Sequence, residues 1–347
     1  MNNKQKLVVV TGGTGFIASH IISQLLQQNY RVRTTVRSLA KTELVKTMLT
    51  NSGISDFANL EFVQADLNSD KNWTQVMKDA TYVMSVASST PTGEFADATA
   101  MTATAVNGVL RVLKFARDAH VKRVVLTSAY GAVGMGHDNQ RTKPFTEKDW
   151  TNLDAIKLDL YQRSKTMAEH AAWHFIETEG QGMEMAAINP VGVMGPVLAS
   201  DYSHSNRQIQ ELLSGKVPAV PKINSGYIDA RDVASLHILA MTAPQAAGER
   251  FLATTGETLS MLDVANILRT AFPAYAEKLP HRTIPNFVLK LAAKFNPSLK
   301  MLATLTDNFA DTSDEKAVKL LGWQPRSAKD AIIATAQSMI DLGIVTK

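Results

Sequence analysis

Residues 11–18 read Thr-Gly-Gly-Thr-Gly-Phe-Ile-Ala and constrain the fold more than any other stretch. They join a short β-branched run, Leu7 to Val10, to residues 16–28, where apolar side chains recur at helical spacing. An uncharged run of this kind is what a strand buried on both faces requires. Glycines in such a turn permit positive φ and leave no side chain between the backbone and a ligand phosphate. The first turn of the helix then offers unpaired N–H groups at its positive end. The spacing fits Gly12-x-x-Gly15-x-x-Ala18 or Gly13-x-Gly15-x-x-Ala18, with Ala18 small enough for close helix–strand packing. A plain tight turn would also use glycine. The surrounding strand, helix and second strand (RVRTTV, 31–36) are the context in which the phosphate reading holds.

The βα alternation then repeats. Strands are expected at Leu60 to Val63, Ala80 to Ala87, Lys122 to Thr127 and Glu184 to Ile188, the last leading into Asn189-Pro190. Helices are expected over 98–119 and 153–178. The fold class is therefore α/β, a Rossmann-type doubly wound parallel sheet. After Gly195-Pro196 the rhythm changes: 197–226 is loop-rich with a short helix near Gln208 to Leu213, and 227–241 resumes a strand-plus-helix pattern. The expected division is a dinucleotide-binding domain over 1–195, with 227–247 returning to it, and a smaller, mostly helical region over 196–226 and 248–347.

The second strand ends at Val36-Arg37, where an NAD-specific fold would place an acidic residue to hold the ribose hydroxyls. A guanidinium there pairs with a 2′-phosphate that a carboxylate would repel. Arg37, with Lys41 and Arg33 nearby, predicts NADP(H); an ordinary surface arginine is the alternative. Asp66, followed by Leu67, falls at the tip of the third strand, where it either meets the adenine or caps a turn.

Tyr161 and Lys165, in YQRSK, are four apart and share a helix face. Free Tyr titrates near ~10, so acid–base work at neutral pH needs tuning. A neighbouring ammonium would favour the phenolate. In the reducing direction Tyr161 would protonate a carbonyl oxygen as hydride arrives at carbon, and Lys165 could also bond the cofactor ribose. A hydroxyl at the strand end Thr127-Ser128 could support the developing negative charge.

Taken together, TGGTGFIA (11–18), TVR (35–37), ADL (65–67), VASST (86–90), VVLTSAYGAV (124–133), YQRSK (161–165), NPVGVMGP (189–196) and YIDARDVASLH (227–237) resemble the extended short-chain dehydrogenase/reductases. The likeness covers nearly the whole chain and is greatest to the dihydroflavonol reductase-like and methylglyoxal reductase-like carbonyl reductases. It implies reversible, NADPH-dependent reduction of an aldehyde or ketone and a substrate pocket between the two regions. The catalytic set it implies is Ser128, Tyr161 and Lys165 with Asn107 in support. The cofactor contacts it implies are Gly12, Thr14, Gly15, Phe16 and Ile17 in the loop and first turn, Arg37 and Lys41 at the 2′-phosphate, Asp66 and Leu67 at the adenine, and Ala87, Pro190 and Val193 beyond the helix pair Tyr161 and Lys165. One departure stands out. The family commonly reads Thr-Ser-Ser at the fifth strand's end, its second Ser being catalytic, and here that place is Ala129. The plant cinnamoyl-CoA reductase signature around the tyrosine is also absent.

Two other functions fit the same scaffold. An NAD-dependent sugar-nucleotide epimerase or dehydratase would hold its cofactor tightly, and Arg37 counts against it. A non-catalytic NADP-binding sensor would tolerate Ala129. Cys is absent, which excludes disulfides and thiolate chemistry. The net charge of +4 is scattered, giving no nucleic-acid signal. No apolar run reaches membrane-span length, and the N-terminal one is too short for a signal peptide, so a cytoplasmic monomer or homodimer acting on a small molecule is expected. His170 and His174 lie at helical spacing without a third ligand and read as surface or packing rather than a metal site. Trp150 and Tyr202 flank a candidate pocket and either touch substrate or pack; His204 and Asn206 are similar, and Met183, Met185 and Met194 read as packing.

Overall fold

The computed structural model describes residues 6–88, 98–137, 141–155, 158–200, 204–295 and 311–346. Its strands are β1 (Leu7–Val10), β2 (Arg31–Val36), β3 (Leu60–Gln64), β4 (Tyr82–Ser85), β5 (Arg123–Thr127), β6 (Glu184–Pro190), β7 (Gly192–Met194), β8 (Val220–Pro221), β9 (Asn224–Asp229), β10 (Arg250–Ala253), β11 (Thr258–Ser260) and β12 (Thr283–Ile284). Its helices are α1 (Phe16–Gln27), α2 (Thr42–Asn51), α3 (Trp73–Met77), α4 (Ala98–Asp118), α5 (Leu160–Glu179), α6 (His204–Leu213), α7 (Ala230–Thr242), α8 (Met261–Ala271), α9 (Asn286–Ala292), α10 (Glu315–Leu321) and α11 (Ala328–Asp341).

Seven strands form one sheet in the order β10-β6-β5-β4-β1-β2-β3, and every adjacent pair is parallel. The alternation of the strands divides the core into two layers. Val8 and Val10 pack with Ile21, Leu25 and Val233 on one face, while Val9 packs with Val112 and Phe175 on the other. Each such aliphatic side chain, fully withdrawn from water, contributes roughly 1.5–3 kcal/mol. The chain winds outward from β1 in one direction and from β4 in the other. That reversal opens a crevice at the carboxyl ends of β1 and β4, where open α/β sheets bind ligands.

Three boundaries differ from those the sequence predicts. The helix expected from 153 begins at Leu160. Residues 151 and 152 are held instead by Ala132 O (3.1 Å) and Met135 O (2.9 Å), and Asp159 caps α5 by accepting from Tyr161 N at 2.8 Å. The stretch from 248 on, placed outside the main sheet, includes β10, its seventh strand; RFLA is a four-residue, fully buried run too short to stand out in a mixed sequence. Conversely, β9 does not return to the main sheet. It pairs with β7 and β11 in a separate three-stranded sheet, and only α7 goes back, tied to α1 by Gln24 Nε2 donating to Arg231 O at 2.7 Å. The C-terminal helix α11 then closes on β7, where Thr335 Oγ1 accepts from Gly195 N at 2.7 Å.

Candidate functional site

The Gly-rich turn sits at the carboxyl end of β1 and is pinned to β2. Gly12 N donates to Thr35 Oγ1 and Gly13 N to Thr35 O, both at 2.9 Å. Gly12 has φ +74°, and a Cβ there would lie 2.9 Å from Ala87 Cβ; one on Gly13 would lie 2.5 Å from Thr34 Oγ1. Both glycines are therefore needed for the close approach of β1, β2 and β4. Gly15 is the N-cap of α1 and supplies no side-chain bond, so the first-turn N–H groups, Phe16 and Ile17 among them, face outward without a capping oxygen. Ala18 is fully buried against the sheet. This cradle fits a pyrophosphate.

Arg37 and Lys41 are exposed at the carboxyl end of β2, and Arg37 makes no side-chain hydrogen bond among the described residues. Arg33 differs. Its guanidinium is committed to Glu61 (2.9 Å) and to the carbonyls of Gln75, Val76 and Lys78, so it is structural. Asp66 Oδ1 accepts from Asn68 N at 2.8 Å, the turn-capping use, while Leu67 O accepts from Arg111. Ala87 is fixed by its N–H to Thr11 Oγ1 at 2.9 Å; Pro190 and Val193 are buried at the ends of β6 and on β7.

In a β5-α5-β6 crossover the helix starts at the carboxyl edge of the sheet, so α5's first two turns stand beside this crevice. Lys165 Nζ donates to Thr127 O at 3.4 Å, and Thr166 Oγ1 donates to Gly131 O at 3.2 Å. Tyr161 is 39% exposed. Loss of water around the phenol nevertheless raises its pKa, and the Asp159 carboxylate adds to the rise. The lowering expected from Lys165 is not found, because that ammonium turns to Thr127 O and is itself weakened. Burial brings it down to about 8, and Glu169 offsets part of the drop.

Ser128 is buried, 5% exposed, and its hydroxyl donates to Glu169 Oε2 at 2.6 Å. The hydroxyl expected to support the carbonyl oxygen is thus engaged with Glu169, and the half-buried Ala129 follows it in the chain. Glu169 was missed in the sequence. It lies one turn after Lys165, and its buried carboxylate also accepts from Arg250 Nε (2.6 Å), Asn189 Nδ2 (2.8 Å) and Trp173 Nε1 (3.3 Å). The signal was present as an acidic residue continuing the i, i+4, i+8 stripe of Tyr161 and Lys165. Asn107 is exposed on α4, and no hydrogen bond ties it to the pair among the described residues.

Trp150 is a packing residue. It stacks on His170 with ring centroids 3.8 Å apart, and the Arg250 guanidinium lies 3.6 Å from its centroid. No group of three metal-ligating side chains occurs among the described residues. Asn206 is fully buried on α6, and neither side-chain atom finds a partner among the described residues. Ser89, Thr90, Tyr202 and the His204 side chain lie outside the described residues. No described helix is long and apolar enough to cross a membrane.

Comparisons with known proteins agree with this fold. Residues 8–253 match the model of the NAD dependent epimerase/dehydratase family. The chain is 30% identical to the NADPH-dependent methylglyoxal reductase of Saccharomyces cerevisiae, covering 96% of this chain and 98% of that protein. It is 35% identical to cinnamoyl-CoA reductase 2 of Arabidopsis thaliana over 78% of this chain and 79% of the relative. The crystal structure of the yeast methylglyoxal/isovaleraldehyde reductase complexed with NADPH superimposes with a TM-score of 0.80 at 28% identity, covering 98% of this chain and all of that one.

Proposed function

This chain belongs to the NAD dependent epimerase/dehydratase family, and from that premise we propose that it reduces an aldehyde or ketone to the alcohol with NADPH. The observation that carries the reading is the placement of Tyr161 and Lys165 on the opening turns of α5, at the carboxyl end of β5 in the same parallel sheet as the strands that build the glycine cradle. The cradle and the uncapped start of α1 suit the cofactor's pyrophosphate, and Arg37 with Lys41 suits its 2′-phosphate. NADPH, when bound, supplies the hydride.

The protein's own residues supply the rest. A phenol held above its ordinary pKa keeps its proton through neutral pH, which is the form reduction needs. Tyr161 donates that proton to the carbonyl oxygen as charge grows there. Lys165, with a pKa of about 8, can give up and regain a proton near neutrality and so restore the phenol. The segments after 195, other than α7 and β10, would form the substrate side of the crevice. Asn107 and Ala87 would border the cofactor, and Asp66 would meet its adenine end.

The test is loss of NADPH absorbance with a panel of aliphatic, aromatic and dicarbonyl substrates. Turnover with NADPH and little with NADH is expected. Tightly bound NAD in the purified protein, with no turnover of any carbonyl, would overturn the reading in favour of an epimerase or dehydratase.

A further inference from the structure

Along α5 the stripe Tyr161, Lys165, Glu169 runs from the surface into the core. Residue exposure falls from 39% at Tyr161 to 1% at Glu169. Three other elements end on the Glu169 carboxylate. Ser128 reaches it from the end of β5, Asn189 from the end of β6 and Arg250 from β10. Arg250 is its ion-pair partner, with side chains 8% and 0% exposed, and it passes the connection on to the carbonyls of Glu147 (2.8 Å) and Asp149 (2.9 Å). Asn189 Nδ2 also reaches Ala129 O at 3.2 Å. The backbone from Thr127 to Ala129, which receives Lys165 Nζ at one end and carries the Ala129 methyl at the other, is thereby clamped from beneath by one carboxylate.

We propose that Glu169 is a positioning residue for the reduction: its buried carboxylate locks the end of β5 against α5 and sustains the positive charge of Lys165 one turn away. The inference rests on the reading that Tyr161 and Lys165 act at the carbonyl. A buried charge of this kind is expensive unless fully paired, and a neutral residue of similar size would pack at least as well. The ionisable groups around Lys165 are Tyr161 and Glu169 on its own helix, Arg250 behind Glu169, and His237 on α7, which meets Thr127 Oγ1 at 2.7 Å. Glu169 acts on the Lys165 charge through space, and it acts to raise its pKa. His237 is held neutral by burial, with a pKa of about 4.

The experiment follows the Lys165 titration directly, by NMR of protein carrying ¹³C-methylated lysines, with Lys165→Arg identifying the resonance. Glu169→Gln should move the Lys165 midpoint down by about half a pH unit or more, since one adjacent charge is enough for such a shift. It should also move the alkaline limb of kcat down by the same amount. Glu169→Asp, which keeps the charge, should restore the midpoint. Glu169→Gln leaves Arg250 unpaired; if that variant does not fold, Glu169→Gln with Arg250→Met removes the stranded cation and carries the same expectation. An unmoved midpoint in the folded variant overturns the proposal and leaves Glu169 a packing residue. A Tyr161→Phe protein with full turnover would instead overturn the catalytic reading and leave the titration result standing.

Discussion

Exchanging the hydroxyl between positions 128 and 129 separates a structural serine from a catalytic one. Ser128→Ala removes one buried hydrogen bond of 2.6 Å to a carboxylate. Bonds to charged groups contribute about 1.5–3 kcal/mol. Glu169 keeps its Arg250, Asn189 and Trp173 donors, so the lower end of that range applies. For 347 residues the unfolding entropy is about 0.7 kcal/mol per degree, so ~1.5 kcal/mol lowers Tm by about 2 °C. Because the hydroxyl is already committed to Glu169, kcat should fall less than about tenfold, whereas loss of a true oxyanion donor costs about 10²–10³. Ala129→Ser is the complement. Its backbone is extended (φ −159°, ψ 157°), which any residue adopts, and the position is half-buried, so a hydroxyl fits without strain. Installing a donor there should raise kcat roughly tenfold or more. Steady-state NADPH oxidation and thermal melts of the two variants read both quantities. A hundredfold loss in Ser128→Ala at unchanged Tm, with no gain in Ala129→Ser, would refute the assignment.

Arg37→Ala should raise KM for NADPH about 10- to 100-fold, as expected for one charge-assisted phosphate contact, and leave KM for NADH unchanged; equal effects on both would remove Arg37 from the 2′-phosphate. Gly13→Ala places a Cβ 2.5 Å from Thr34 Oγ1 and should cost about 1–3 kcal/mol, read as a drop in Tm; an unchanged melt would show that β2 yields freely. His20 and His237 are both brought to about 4 by burial, below their ordinary value near 6.5. The unfolded chain then takes up their protons first, so their contribution is complete above about pH 6.5 and is lost as pH falls toward 4. An NMR titration should find two of the eight histidines still neutral at pH 5, and eight ordinary midpoints would contradict this.

The parallel sheet was readable because its strands are short apolar runs separated by glycine turns and helical periodicity, and Leu7–Val10 and Arg31–Val36 fall where that pattern puts them. β10 was not, since RFLA is only four residues long and the strand that opens the preceding strand-plus-helix pattern pairs in a different sheet. Arg33 and Arg37 look alike in sequence; only the neighbouring Glu61 and the carbonyls of α3 decide that the first is structural. The engagement of Ser128 with Glu169 was likewise not legible, because which face a strand-end residue presents depends on register. The stripe of Tyr161, Lys165 and Glu169 is visible in the sequence, but what buries Glu169 is not, because its partners are 41, 20 and 81 positions away in the chain.

In the proposed reduction Tyr161 delivers the proton while NADPH delivers the hydride. Stopped-flow single turnover of preformed NADPH complex with a carbonyl substrate, in parent and Tyr161→Phe proteins, measures it most directly. Hydride transfer should slow by about 10²–10⁴-fold, the usual contribution of a positioned general acid, while NADPH binding by fluorescence titration stays within a factor of about three. Hydride transfer at the parent rate in Tyr161→Phe would contradict the account.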